Sequence, residues 1–301
     1  MDLTKQDLKD LALAGRISCL TLDAVANYVR PGTSIGTLHD TLVKLITKTP
    51  GARLAFPPNI SVNECAAHDT AAPKESRVIP KRGLVKIDIG TNVNGMLSDT
   101  ARTFSMDGKY GHLTAAPKIA LKKAIEIIKP GVRVSEIGEV VQETIEGFGF
   151  KPIANLTGHQ MKKGLLHAGL SIPSVKSFPL AKRSKLKVGT IVAIEPFATT
   201  GEAGLVEDAQ SPALIYSVGN GNPKTPIGRR LTGQFQKLPF SLRSAYFSFQ
   251  QEKIELEEIT HSLSKDKFHG YKPLVERTGG LVSQAEHTIL VMQEGAKVIT
   301  R

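Results

Sequence analysis

The 301-residue chain has two cysteines, Cys19 and Cys65, and no tryptophan. Two thiols cannot build the disulfide framework of a small secreted domain or the four-thiolate cage of a structural zinc site. Any metal bound here must therefore be held by carboxylates and imidazoles. No apolar run approaches the roughly 18 residues that a membrane-spanning helix needs. The first fifteen residues, MDLTKQDLKDLALAG, interleave charges of both signs with leucine, which is not a secretory signal. The expectation is a cytoplasmic protein with no membrane partner. Hydrophobic residues make up 41% of the chain, enough to bury a core and to exclude a disordered polymer. Positive charge is in excess: 39 Lys and Arg against 28 Asp and Glu, a net +11. That balance fits an anionic partner, but it describes solubility and encounter more than chemistry.

Leu8, Leu11, Ala14, Leu22, Val25 and Val29 recur at roughly helical spacing, with Ser18 in the one gap. The spacing predicts a long amphipathic helix that stops before Pro31-Gly32. Pro31-Gly32 followed by Leu38, Leu42 and Ile46 has a second copy 99 residues on, Pro130-Gly131 followed by Ile137, Val141 and Ile145. The same offset carries His68 onto His167, and GLVKID ending at Asp88 resembles GTIVAIE ending at Glu195, with one extra residue. Proline-glycine turns before helices are common, so chance is one account. The other is an internal duplication, helix then strands, used twice around a shared centre.

In the first copy, LVKIDIGTNVNGMLSDTARTF reads as two strands joined at Asn94-Gly95, which puts Asp88 and Asp99 on one hairpin. In the second, Glu195 lies on a strand, and Glu286 leads into the next matching strand, TILVM. The aspartates are 11 positions apart and the glutamates 91, so about 80 residues are inserted between the glutamates. The expectation is one domain over 1–301 carrying a mainly helical subdomain over 215–270.

Five metal-type side chains stand out: Asp88, Asp99, His159, Glu195 and Glu286. Asp88 interrupts an otherwise apolar strand, and a buried carboxylate without a partner is expensive, so it calls for a cation or a hydrogen-bond network. The same holds for Glu195 in IVAIEPF and for Glu286 ahead of TILVM. Each alone could be an ordinary strand-end or loop residue. Together, four carboxylates and one imidazole exceed what one zinc ion takes and suit two divalent ions that share carboxylates.

The segments FPPNISVNECAAHDT, VKIDIGT, LSDTARTF, NLTGHQM, AIEPFAT and SQAEHTIL resemble, in order, the active-site segments of type II methionine aminopeptidases, of the pita-bread or creatinase-like family. The resemblance runs over essentially the whole chain, which looks like the short archaeal form. It implies an α+β pita-bread fold with pseudo-symmetric halves and a helical insertion subdomain. It also implies that the chain removes the initiator methionine when the second residue is small, by means of a water activated at two divalent metal ions: Co, Mn, Fe or Zn. Asp88 would bind one ion, His159 the other together with Glu195, and Asp99 and Glu286 would bridge them. Glu195 would also carry a proton, His68 and His167 would assist catalysis and touch the substrate, and Phe56 and Tyr271 would line the methionine pocket. Where eukaryotic members carry another pocket histidine, this chain reads DAQSPALIYS, which leaves that wall of the pocket open.

Two other readings share these features: a proline-directed dipeptidase of the same fold, and a relative without catalysis that binds nucleic acid or protein. The natural partner of an initiator-methionine enzyme is the nascent chain, with the enzyme itself a monomer. The basic residues Lys162, Lys163, Lys182, Arg183, Lys185, Lys187, Lys224, Arg229, Arg230, Lys237 and Arg243 would give it a transient contact with ribosomal RNA.

Overall fold

The computed structural model describes residues 3–176, 184–219 and 221–301. The first half runs α1 (Lys5–Val25), α2 (Ile35–Thr47), β1 (Ala52–Val62), β2 (Cys65–Ala67), β3 (Leu84–Val93) and β4 (Met96–Ser105). The second half begins with α3 (Gly111–Ile127), α4 (Val134–Gly147), β5 (Lys151–Pro152), β6 (Thr157–Met161) and β7 (Ser171–Pro173). It continues with β8 (Ile191–Ile194), β9 (Phe197–Thr199) and β10 (Val206–Asp208). An excursion then holds β11 (Ile215–Ser217), α5 (Pro226–Phe235), β12 (Phe240–Ser241), α6 (Leu242–Ser248), α7 (Leu256–Lys265) and β13 (His269–Tyr271). The chain returns through β14 (Leu274–Glu276), β15 (Val282–Gln284), β16 (His287–Val291) and β17 (Ala296–Val298).

Helix α1 starts at a reciprocal cap. The Asp7 N–H donates to Thr4 Oγ1 at 3.1 Å, and the Thr4 N–H donates to the Asp7 carboxylate at 3.0 Å, which satisfies two otherwise orphaned donors. Its buried stripe is Leu11, Ala14, Ser18, Leu22 and Val25. Leu8, expected in that stripe, is 41% exposed. The first turn faces the polar β3–β4 turn, where Asn94 donates to Asp10 at 3.2 Å and Lys163 to Asp7 at 2.7 Å. Ser18 is fully buried, with its hydroxyl 2.7 Å from that of Thr91 and 2.9 Å from that of Ser98. The one polar position in the apolar repeat thus ties the helix to the hairpin beneath it.

The two halves repeat down to their hydrogen bonds. Gly32 and Gly131 have φ of +84° and +91°, a region that glycine enters without steric penalty. The Gly32 N–H donates to the carbonyl of Ile79 at 2.9 Å, and the Gly131 N–H to that of Leu186 at 2.9 Å; Ile79 and Leu186 donate back to Thr33 and Val132. Helix α2 then buries Leu38, Leu42 and Ile46, and α4 buries Ile137, Val141 and Ile145. Helices α1 and α2 pack on the sheet β1-β3-β4, while α3 and α4 cover the strands of the second half. This is the pita-bread arrangement.

Residues Ile215 to Tyr271 form a sheet, β12-β11-β13, backed by α5, α6 and α7. They bury a core of their own around Leu231, Phe240, Leu242, Phe249, Ile259 and Leu263. No helix among the described residues is long and apolar enough to cross a membrane.

Candidate metal centre

Asn94 and Gly95 have φ of +51° and +90°, the left-handed pair that a two-residue hairpin turn requires. The register they set pairs Asp88 with Ala101 and Gly90 with Asp99. Residues paired across strands, and residues two apart along one strand, share a face. Both carboxylates therefore point to the same side of the hairpin. His159 lies within β6, a strand that sequence alone left open as a loop.

The two glutamates sit at strand breaks. Strand β8 stops at Ile194 and β9 begins at Phe197; β15 stops at Gln284 and β16 begins at His287. Ile194 pairs with His287, and Phe197 with Gln284, so the breaks lie side by side. Pro196, which has no N–H to offer a ladder, occupies one of them. The expected strand position of Glu195 is thus corrected by one residue, and the interruption frees its side chain to turn inward.

All five side chains converge. His159 Nε2 is 3.3 Å from Asp99 Oδ2 and 3.7 Å from Glu195 Oε1. Donor atoms of Asp99, His159 and Glu286 lie within 4.8 Å of one another. Asp99 and Glu286 are 4% and 2% exposed. Burial, then the charge of Asp99, raises the Asp88 carboxyl well above its usual range. Burial lifts Asp99 to about 7, and Glu195 and Glu286 rise through burial and then the neighbouring aspartates. His159 cannot neutralise the cluster, because burial lowers its pKa to about 4 and leaves the imidazole neutral. Asp88 Oδ1 and Asp99 Oδ1 are buried without a hydrogen-bond partner among the described residues. Oxygen-rich donors that repel one another and include orphaned acceptors fit divalent cations.

Three supporting residues escaped sequence reasoning. Gln284 Nε2 donates to Asp88 at 3.3 Å and to Glu286 at 3.1 Å, holding a carboxylate of β3 and one in the β15–β16 break. The Thr288 hydroxyl accepts from the Asp99 N–H at 2.7 Å and donates to the Asp99 carbonyl at 2.8 Å. Asn59 Oδ1 accepts from the His68 N–H at 2.7 Å, which holds His68 at φ +62°. Gln284 and Thr288 stand two residues either side of Glu286, and that period-two spacing was the available signal.

Beside the carboxylates lies a cavity of about 140 Å³ lined by Phe56, His68, Leu166, His167, Ile215 and Tyr271, among others. The Phe56 ring rests against Gly90, where a Cβ would come within 2.3 Å of it. The Tyr271 ring meets His68 edge-on with centroids 5.5 Å apart, and His167 meets His159 at 4.3 Å. His167 keeps a solvent-exposed face in the cleft. Desolvation there, followed by the nearby His159, lowers its pKa, and desolvation chiefly holds that of His68 at about 4.

A buried cage of hard donors between two equivalent halves, opening into an apolar slot, defines a pita-bread metallopeptidase. The sequence model of Metallopeptidase family M24 matches residues 9–231. The chain is 36% identical over 297 residues to a methionine aminopeptidase of Thermococcus onnurineus, covering 96% of this chain and 98% of that one. It is 35% identical over 306 residues to one of Saccharolobus solfataricus, covering 99% of each. A methionine aminopeptidase structure from Rickettsia prowazekii superposes with a TM-score of 0.71 at 19% identity, over 100% of this chain and 99% of that one. The chain belongs to Metallopeptidase family M24, and within it to the methionine aminopeptidases.

Proposed function

We propose that this chain removes the N-terminal methionine of nascent polypeptides whose second residue is small, with two divalent ions held by Asp88, Asp99, His159, Glu195 and Glu286. The observation that carries the reading is the apolar and aromatic slot of Phe56, Ile215 and Tyr271 opening directly onto the carboxylate cage. A thioether packs well against such rings. The bound ions would lower the pKa of a water and polarise the scissile carbonyl. Asp88 and Asp99 line the slot and would accept hydrogen bonds from the free α-amino group, which restricts cleavage to chain ends. Glu195 carries the proton from the water towards the leaving amine. His68 and His167 are neutral at physiological pH and offer N–H donors to the developing oxyanion without adding charge to the site. Co, Mn, Fe and Zn all suit these O and N donors. Residues 215–270 act as the insertion that distinguishes the type II class, and the enzyme works as a cytoplasmic monomer.

Contact with ribosomal RNA through basic residues remains part of the reading, with a smaller set than the sequence suggested. Lys163 is paired with Asp7, Arg230 with Glu252 and Arg243 with Asp40. Lys182 and Arg183 lie outside the described residues. Lys162, Lys185, Lys187, Lys224, Arg229 and Lys237 are exposed. The test of function is turnover of Met-Ala-Ser against a Xaa-Pro dipeptide and a Met-Phe peptide, with Mn or Co added. Cleavage of Met-Ala-Ser alone is expected; preference for the Xaa-Pro substrate would reassign the enzyme.

A further inference from the structure

The excursion Ile215–Tyr271 supplies one wall of the substrate slot, through Ile215, Pro239 and Tyr271. Leu238 packs it on the cluster of Leu11, Phe56 and Met96, and one buried polar side chain ties it to the first half as well. Arg243, on α6, is 8% exposed. Its Nε donates to Asp40 Oδ1 at 3.0 Å and its Nη2 to Asp40 Oδ2 at 2.7 Å, a bidentate grip on α2. Its Nη1 donates to the carbonyls of Ala72 at 2.8 Å and Pro73 at 3.1 Å. The guanidinium also lies 4.7 Å from the centre of the Phe247 ring. Ala72 and Pro73 belong to the loop that leaves His68, so one group binds both α2 and the segment carrying a slot residue.

The path from Arg243 into the slot is short and stiff. Ser241 caps α6 by accepting from the Ser244 N–H at 3.0 Å. Ser241 also pairs with Ile215, and Ile215 with Tyr271; Pro239 stands four residues before Arg243. We infer that Arg243 is a positioning residue that sets the width of the substrate slot by latching the excursion onto α2 and the His68 loop. This rests on the reading of the slot as the binding site for the N-terminal side chain. Lysine cannot replace it, because a point ammonium cannot reproduce the bidentate fork together with the two carbonyl contacts.

The experiment compares the metal-loaded wild type with Arg243→Met, Arg243→Lys and Asp40→Asn on Met-Ala-Ser and on peptides beginning with leucine. A slot wall displaced by a fraction of an ångström weakens binding more than chemistry. Arg243→Met is expected to raise KM for Met-Ala-Ser about tenfold or more, leave kcat within about threefold and bound metal unchanged, and narrow the preference for methionine over leucine. Amide exchange should accelerate at 240–243 and 70–72. Arg243→Lys and Asp40→Asn should shift the same quantities in the same direction by less. Unchanged KM and exchange in Arg243→Met would overturn the inference, as would a loss of kcat and of bound metal alongside the rise in KM. Should Arg243→Met fail to fold, Asp40→Asn decides, since that carboxylate is 55% exposed and its loss leaves the carbonyl contacts intact. A wild type inactive on methionine peptides would sink the functional reading alone, and the exchange comparison would still test the latch.

Discussion

Replacing Asp99 by Asn should make the metal-free protein more stable and the metal-loaded protein less so. Asp99 is 4% exposed and its folded-state pKa is about 7, against 3.8 in an unfolded chain. A raised folded pKa means that the native state holds a proton more tightly than the unfolded one. Stability is therefore greatest below the unfolded pKa and is lost as pH rises through about 7. At roughly 1.4 kcal/mol per unit, the ionised group costs on the order of 4 kcal/mol at about pH 7.5 and under about 2 kcal/mol at about pH 5. Asn carries no charge and escapes this cost, and it also relieves Asp88, Glu195 and Glu286, whose carboxyls Asp99 pushes upward. Excess divalent metal at about a thousand times its dissociation constant stabilises the wild type by about 4 kcal/mol. The variant, short of one ligand, gains less. The assay is urea unfolding of both proteins in EDTA and in excess Mn at the two pH values. The reasoning fails if the Asn variant is the weaker protein in EDTA at the higher pH. It also fails if metal stabilises both proteins equally.

Glu286→Gln should abolish turnover and lower metal content while circular dichroism shows the fold intact, because it removes a ligand charge from the cage without changing its volume; normal activity with full metal occupancy would refute its place there. His68→Ala should keep its metal and lose about 10² to 10⁴ in kcat, the range for a positioned proton or hydrogen-bond donor, so metal loss on titration would move His68 into the ligand set. Gln284→Leu removes the amide that donates to both Asp88 and Glu286 and should weaken metal affinity by about 10- to 100-fold in a chelator competition; unchanged affinity would reduce Gln284 to a core residue.

Much of this molecule was legible in one dimension because local chemistry dictated it. Asn94-Gly95 admits one tight hairpin turn, and the turn sets the register that puts Asp88 and Asp99 on one face. The paired Pro-Gly turns and their helical repeats announced two equivalent halves, which the hydrogen bonds of Gly32 and Gly131 reproduce. Carboxylates embedded in apolar strands pointed to a cation, since burying them otherwise is costly. What the chain could not disclose involves partners far apart in sequence. Leu8 follows the apolar repeat yet faces solvent, because the first turn of α1 meets a polar turn and Lys163. Lys86 sits in the apolar run beside Asp88 and is 1% exposed, its ammonium donating to the carbonyls of Asn63 and Val282. Arg243 counted as one surface cation among several, and its burial against Asp40 depends on how the excursion folds back over α2. Glu195 and Glu286 meet because two strand breaks 91 residues apart come into register. Hydrophobic period and turn chemistry act over a few residues and can be read from the order of side chains, whereas the pairing of distant charges is settled only when the backbone closes and each buried group must find a partner.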